Sequence, residues 1–484
     1  MRQIKRLTLV FIICIFQGCS EPEDVAREQS PSEQAPTQDL IDLITRETAL
    51  KAQADHFIPV EHYQLDNGMK VVLSKDPRAS VASLSFYYGV GYRNESIAQT
   101  GVSSLVQSIM MDAKLGDEQV TIAALAQQLG AKVNASVRED FSAYYAQMPG
   151  YKIEPFIWAH AKQLSHLYSQ DYNLLTQKLA LKKQRQYHQM NPLYGFPWHY
   201  LKMLAYRDAE SKRSLFTTPQ EKLDKPLINK FVSERYQMNN VTLVVTGNFD
   251  PIWVKSLVKS YFTDFKREKS LEELVETLIS PTVASQTKTL PSIPKNAYAV
   301  AFHMPQKDSK DYLAMWVVSQ WLLSKEGDLA KVFIDKYQIT NQIEGGINFL
   351  SGFHFFNRDP ALLTFSFIAE KAVSSAQVTS YFDEALSPLM QGALTSDLLR
   401  EMKVAWRVAY YKRLEQDGGL YRGELLASLL AMGKEPRVIN DIESQVNALN
   451  SADIANAMRQ YVANNKRISL TVTQQSDNGG ENEN

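Results

Sequence analysis

Cysteine is almost missing from this chain. Its 484 residues hold two, Cys14 and Cys19, so no disulfide framework carries the fold. Neither sign of charge is in excess: 52 Lys and Arg stand against 53 Asp and Glu, a net charge of −1. No basic block stands out, which leaves a nucleic-acid partner without support. Long apolar runs are missing as well. The run from Leu7 to Phe16 falls short of the roughly 20 residues that a bilayer-crossing helix needs. Histidine is scarce, with eight in all, and the eight do not pair at the spacing of one helix face. His160 and His166 are six apart, His188 and His199 lie on either side of Pro192 and Gly195, and His56, His62, His303 and His354 are scattered. Each reads as a surface or packing residue.

Hydrophobic residues make up 44% of the chain, enough for large cores. The length suits about three domains, with two to four allowed. At the N-terminus, Arg2, Lys5 and Arg6 precede the apolar run, and Gly18-Cys19 and the polar Ser20-Glu21-Pro22 follow it. That order is a secretory signal peptide over 1–18. A Cys directly after a small residue at the end of such a run resembles a bacterial lipoprotein signal, in which Cys19 is lipidated and becomes the first residue. Phe16 and Gln17 depart from the usual lipobox. The expected location is the bacterial cell envelope, lipid-anchored, and Ser20 favours the outer membrane, facing the periplasm. Residues 19–56, rich in Glu, Gln, Ser and Pro, read as a flexible tether.

From Phe57 the pattern turns β-like, and Asn67-Gly68 between two apolar runs marks a hairpin. Strands and helices then mix without a regular alternation as far as Phe265. Residues 266–294, charged and then rich in Ser, Thr and Pro, read as an interdomain linker. The second half, 295–473, repeats the first in outline, and 474–484 reads as a disordered tail.

One stretch concentrates the question of function. Thr100 to Met111 reads as a helix with Thr100 as N-cap. Val102, Leu105, Val106, Ile109 and Met110 form its apolar stripe. A second face carries Ser104, Gln107, Ser108 and Met111, polar but uncharged.

Asp66-Asn67-Gly68, Gly89 to Glu95 leading into Thr100-Gly101, Leu129-Gly130-Ala131 with Asn134-Ala135-Ser136, Phe141 to Tyr145, and Asn239 to Asp250 occur in this order. In that order they resemble the M16 peptidases, the pitrilysin, insulinase and mitochondrial processing peptidase type. The resemblance covers about 57 to 473 of the chain. It implies an α+β fold of two similar, metalloenzyme-like domains, 57–265 and 295–473, each a mostly antiparallel sheet covered by helices, together forming half of a clamshell. It also implies a zinc motif, His-x-x-Glu-His, on the helix just described, with a third ligand from a later helix. Aligned here, the first His falls at Ser104, the general base at Gln107, the second His at Ser108 and the later Glu near Lys183, 75 residues beyond Ser108. The Arg and Tyr with which the family's second half holds a substrate carbonyl fall at Ile334 and Asn341, with Lys331, Lys336 and Tyr337 close by.

A hydroxyl, an amide and an ammonium cannot perform that chemistry. The expectation is a catalytically degenerate subunit without zinc, binding peptide and shaping a chamber beside a zinc-bearing M16 homologue. Two alternatives are an active zinc metalloendopeptidase with atypical ligands, and an envelope scaffold or peptide-binding lipoprotein that acts alone.

Overall fold

Asn67 and Gly68 turn the chain between β1 (Glu61–Gln64) and β2 (Lys70–Lys75). Gly68 stands at φ +96°, and Asn67 Oδ1 accepts from the Met69 amide at 3.1 Å, which is the turn chemistry this pair supplies. A computed structural model gives the fold and describes residues 57–115, 118–166, 174–190, 196–206, 223–266, 284–290, 295–349, 361–392, 394–463 and 466–474. The signal peptide 1–18, Cys19, the tether to residue 56 and the tail beyond Gln474 lie outside the described residues.

After β3 (Ala82–Tyr88) comes α1 (Val102–Asp112), and a short ribbon, β4 (Lys114–Leu115) and β5 (Glu118–Thr121), precedes α2 (Ile122–Leu129). The hairpin β6 (Lys132–Val137) and β7 (Ser142–Met148) follows. Then come α3 (Ile153–His166), α4 (Leu174–Met190), α5 (Phe196–Ala205), α6 (Lys225–Arg235), β8 (Val241–Gly247) and α7 (Pro251–Phe262). The second half holds β9 (Ser285–Leu290), β10 (Ala297–His303), α8 (Lys310–Leu322), β11 (Glu344–Ile347), β12 (Leu362–Ile368), α9 (Ser375–Met390), α10 (Ser396–Glu415), α11 (Leu420–Ala431), α12 (Ile442–Asn447), α13 (Ser451–Tyr461) and β13 (Ile468–Gln474).

The strands make two sheets, ordered β1-β2-β8-β3-β7-β6 and β11-β12-β10-β13-β9. The pairs β2–β8 and β9–β13 are parallel, and the rest are antiparallel. With β1 set aside, both sheets read the same way: two parallel strands, then three antiparallel ones ending on the hairpin that follows the first helix. The two halves are therefore structural repeats, and the fold is α+β with two domains. Within 266–294, read above as linker, Ser285–Leu290 is the edge strand β9. Its polar sequence hid it, because an edge strand needs backbone pairing more than apolar side chains.

Alternation along the strands sets the layers. In β3, Leu84, Phe86 and Tyr88 join the core beneath α1, α3 and α7, while Tyr87 points the other way. In β10, Tyr298, Val300 and Phe302 face the large second core. Ala297, Ala299 and Ala301 on its other side let α5 approach through Leu201 and Ala205. Helix α5 thus lies on the second sheet although it falls within 57–265, and the buried Lys202 of α5 pairs with Glu139 of the β6–β7 turn.

From Ile58 on, the chain forms one compact unit. Helix α11 joins its halves, with Tyr421 to Leu429 all buried, because it is sandwiched between the first sheet and the second core. The turn before α11 docks by its carbonyls: Asp417 O accepts from Ser83 Oγ and Gln147 Nε2, both at 2.7 Å, and Gly418 O accepts from Thr246 Oγ1 at 3.0 Å. Gly418 stands at φ +66°, and a Cβ there would lie 2.7 Å from Val81 Cγ2, so glycine meets both demands.

Candidate functional site

The loop that feeds α1 is pinned before the helix starts. A Cβ on Gly91 would lie 2.2 Å from Arg138 O, so only glycine lets this loop touch the β6–β7 hairpin. The Tyr92 amide donates to Arg138 O and the Arg93 amide to Glu139 O, both at 2.9 Å, and Arg93 Nε donates to Asp140 Oδ1 at 2.6 Å. The helix begins at Val102, with Gly101 as N-cap at φ +88° and no side-chain cap. Thr100 therefore does not cap it. The buried Glu95 carboxylate does that work, accepting from the Gly101 amide at 2.7 Å and the Ser103 amide at 2.9 Å. A carboxylate at a helix N-terminus also meets the positive end of the helix dipole.

On α1, Ser104 is buried and its hydroxyl donates to Tyr92 OH at 3.3 Å. Gln107 and Ser108 are half-buried on the same face. Ser108 Oγ donates to Oε1 of the buried Gln177 on α4, and Gln177 Nε2 donates to Asp112 Oδ2 at 2.9 Å. The two helices are thus joined by a short polar ladder, Ser108–Gln177–Asp112. Gln163 Nε2 of α3 adds a bond to Met110 O at 2.6 Å, which ties down the last turn of α1.

Lys183 is not part of this contact. It is exposed, and the six residues from Gln177 turn the helix through about 600°, away from the face that meets α1. The α4 residue facing Ser108 is Gln177, which sequence reasoning missed. It carries no sequence signal, since its place depends on the register of two helices packed together.

Zinc takes thiolate, imidazole or carboxylate ligands. The two hydroxyls and the amide at Ser104, Ser108 and Gln107 do not fit it, and Ser108 is already bonded to Gln177. Among the described residues no group of three or more His, Cys, Asp and Glu stands together as a metal site. His160 is a core residue: it stacks on Phe86 with ring centroids 3.6 Å apart, and its Nε2 lies 2.7 Å from Tyr88 OH. Burial pushes its pKa down to about 3, so the ring is neutral.

In the second half, Ile334 sits half-buried in a π-helical segment, Ala330–Lys336, and Asn341 is exposed after it. The nearby cations and phenol are engaged within their own half. Lys336 Nζ donates to Glu384 Oε1 at 2.6 Å and Tyr337 OH to Glu384 Oε2 at 2.9 Å, while Tyr337 stacks on Tyr381 at 3.8 Å. Lys331 pairs with Asp328 at 3.6 Å.

One feature beside α1 is an edge strand. Among the described residues, β6 has β7 on one side and no strand on the other. Its Lys132 and Asn134 are exposed, and such an edge is a template for an added strand.

Two family models match in succession: "Insulinase (Peptidase family M16)" over residues 70–218 and "Peptidase M16 inactive domain" over 222–405. The chain belongs to the M16 peptidase family. The models meet between α5 and α6, so the second begins with α6, β8 and α7, which the fold keeps in the first domain. Among curated proteins this M16 chain is similar to "Zinc protease PqqE" of Helicobacter pylori, 20% identical over 437 residues, covering 87% of this chain and 94% of that one. Among solved structures it is similar to a protease from Helicobacter pylori, with TM-score 0.75, 17% identity and 86% of this chain against all of that one. It is also similar to a peptidase M16 inactive domain from Pseudomonas fluorescens, with TM-score 0.70, 14% identity and 86% against 97%. A chain of Complex III2 from Candida albicans has TM-score 0.68, 16% identity and 86% against 96%.

Proposed function

We propose that this chain is a non-catalytic, peptide-binding M16 subunit that shapes a chamber beside a zinc-bearing M16 homologue in the cell envelope. The Ser108–Gln177–Asp112 ladder carries the reading. It spends the helix face the family uses for chemistry on direct hydrogen bonds, and it offers no imidazole for a metal and no carboxylate at Gln107 for a proton. The same reading leaves this chain without zinc. What survives is the open edge of β6, which an extended peptide would join by main-chain hydrogen bonds. A partner fits because the chamber's chemistry can come from a second subunit. One structural neighbour is itself a chain of an assembly, Complex III2. The signal-like N-terminus and Cys19 support a lipid anchor on the outer membrane, facing the periplasm.

Co-expression with a zinc-bearing M16 homologue from the same cell tests this reading. The expected result is co-purification, zinc in the homologue only, and peptide cleavage that needs both chains. A protein that carries stoichiometric zinc by itself would overturn the reading in favour of atypical ligands. A stable monomer that leaves the homologue's activity unchanged would leave the stand-alone binder.

A further inference from the structure

Glu424 of α11 is the group the fold uses most oddly. It is buried at the seam between the first sheet and the second core. Tyr145 OH of β7 donates to its Oε1 at 3.0 Å, and Ser136 Oγ of β6 lies 2.7 Å from the same phenol. A hydrogen-bonded chain thus runs from the open edge strand into the interior. Glu424 Oε2 is buried and has no hydrogen-bond partner among the described residues.

The charged and titratable groups around it come from the first sheet and from the helices of the second half. Tyr87 faces it from β3 and Tyr145 from β7, Arg138 lies just past β6, Arg413 is on α10, and Tyr421 is on α11 itself. Among the described residues, no ion pair to Glu424 accompanies the charges of these arginines. Two residues away on the same helix, Arg422 does pair with Asp76, at 3.4 Å. Hydrogen bonds from Arg78 and the charges of Arg78 and Arg422 outweigh burial and hold the Asp76 carboxyl below its ordinary range, so Asp76 stays ionised throughout the neutral and alkaline range.

We propose that the Ser136–Tyr145–Glu424 chain is a proton-operated latch between the first sheet and α11. The neutral acid fits a buried seam with one oxygen unpartnered. The carboxylate does not, because an uncompensated buried charge costs far more than an unpaired hydroxyl. Burial, the largest influence, raises the acid's pKa to about 8 against the opposing pull of Tyr145 and the two arginines. The sign follows. Between its ordinary pKa of 4.5 and about 8 the seated group holds a proton that the released group has lost. The latch therefore weakens as pH rises through that window and weakens no further above it. The device works whether or not β6 takes up a peptide, so it stands or falls apart from the proposed function.

Hydrogen exchange of the Leu420–Ala431 amides in the full mature chain tests it, at pH 7 and pH 9 and corrected for intrinsic rates. The expected result is opening that grows about tenfold across that interval. In Glu424→Gln, which keeps size and a neutral acceptor, opening should not change with pH. A rise in that variant equal to wild type, or no rise in wild type, would overturn the latch. Tyr145→Phe removes a bond that favours the carboxylate, so its rise should extend to higher pH before it levels off. An unmoved rise would remove Tyr145 from the latch even if Glu424→Gln fails to fold.

Discussion

The two halves of this protein place the same strands in the same order, yet their first helices differ in kind. Helix α1 keeps an apolar stripe under a polar face, where Ser108, Gln177 and Asp112 bond across to α4. Helix α8, in the matching place, is buried almost all round. Its Trp316 meets Trp406 edge-on at 5.4 Å and Tyr410 at 5.6 Å. The repeat fixes where a helix lies, and side chains decide whether it packs as core or faces a neighbour through polar groups. The first half thus faces its neighbour through polar groups where the second half packs as core.

That contrast can be broken most forcefully in the second half. Trp406→Ala empties the aromatic centre under α8 and should cost about 3–5 kcal/mol in denaturant unfolding. A loss near zero would mean that α8 is not held by core packing. Next in size is a pH effect in the first half. His160 is held neutral with a folded pKa of about 3 against 6.5 unfolded. The unfolded state therefore binds the proton first, and stability should fall as pH drops below 6.5, by about 3 kcal/mol at pH 4. Thermal unfolding of His160→Asn should lack that acid limb.

A smaller effect is expected in the ladder. Gln177→Ala leaves Ser108 and Asp112 without their bridge and should cost about 1–2 kcal/mol, with faster exchange of the last-turn amides of α1. If the cost is nil, the ladder is incidental to the α1–α4 contact. The smallest effect belongs to the exposed Lys336–Glu384–Tyr337 cluster. Glu384→Gln should leave the unfolding midpoint unmoved, since exposed pairs contribute little. A clear drop would show that this surface is held against something.

The elements that sequence reasoning placed well are those whose pattern is local. The hairpin at Asn67-Gly68 and the apolar stripe of α1 depend on neighbours within a few residues. The misplaced ones depend on distant partners. Thr100 looked like the cap of α1, but a capping carboxylate six residues before Gly101 reaches the amides through a loop held by the β6–β7 hairpin. Lys183 was aligned by distance along the chain, whereas the helix register puts Gln177 against Ser108. Strand β9 was hidden in a polar stretch because its pairing partner, β13, lies more than 170 residues away.

Serine, glutamine and serine at 104, 107 and 108 put a hydroxyl, an amide and a hydroxyl on one face of any helix, since the helical period alone brings these positions together. So the residue types that share this face, two hydroxyls and an amide, were readable from spacing alone. The partner those groups take, the crossing of α5 to the second sheet and the burial of Glu424 at the seam were not. Each needs two segments far apart in the chain to meet in one register, and that register is set by how whole layers pack.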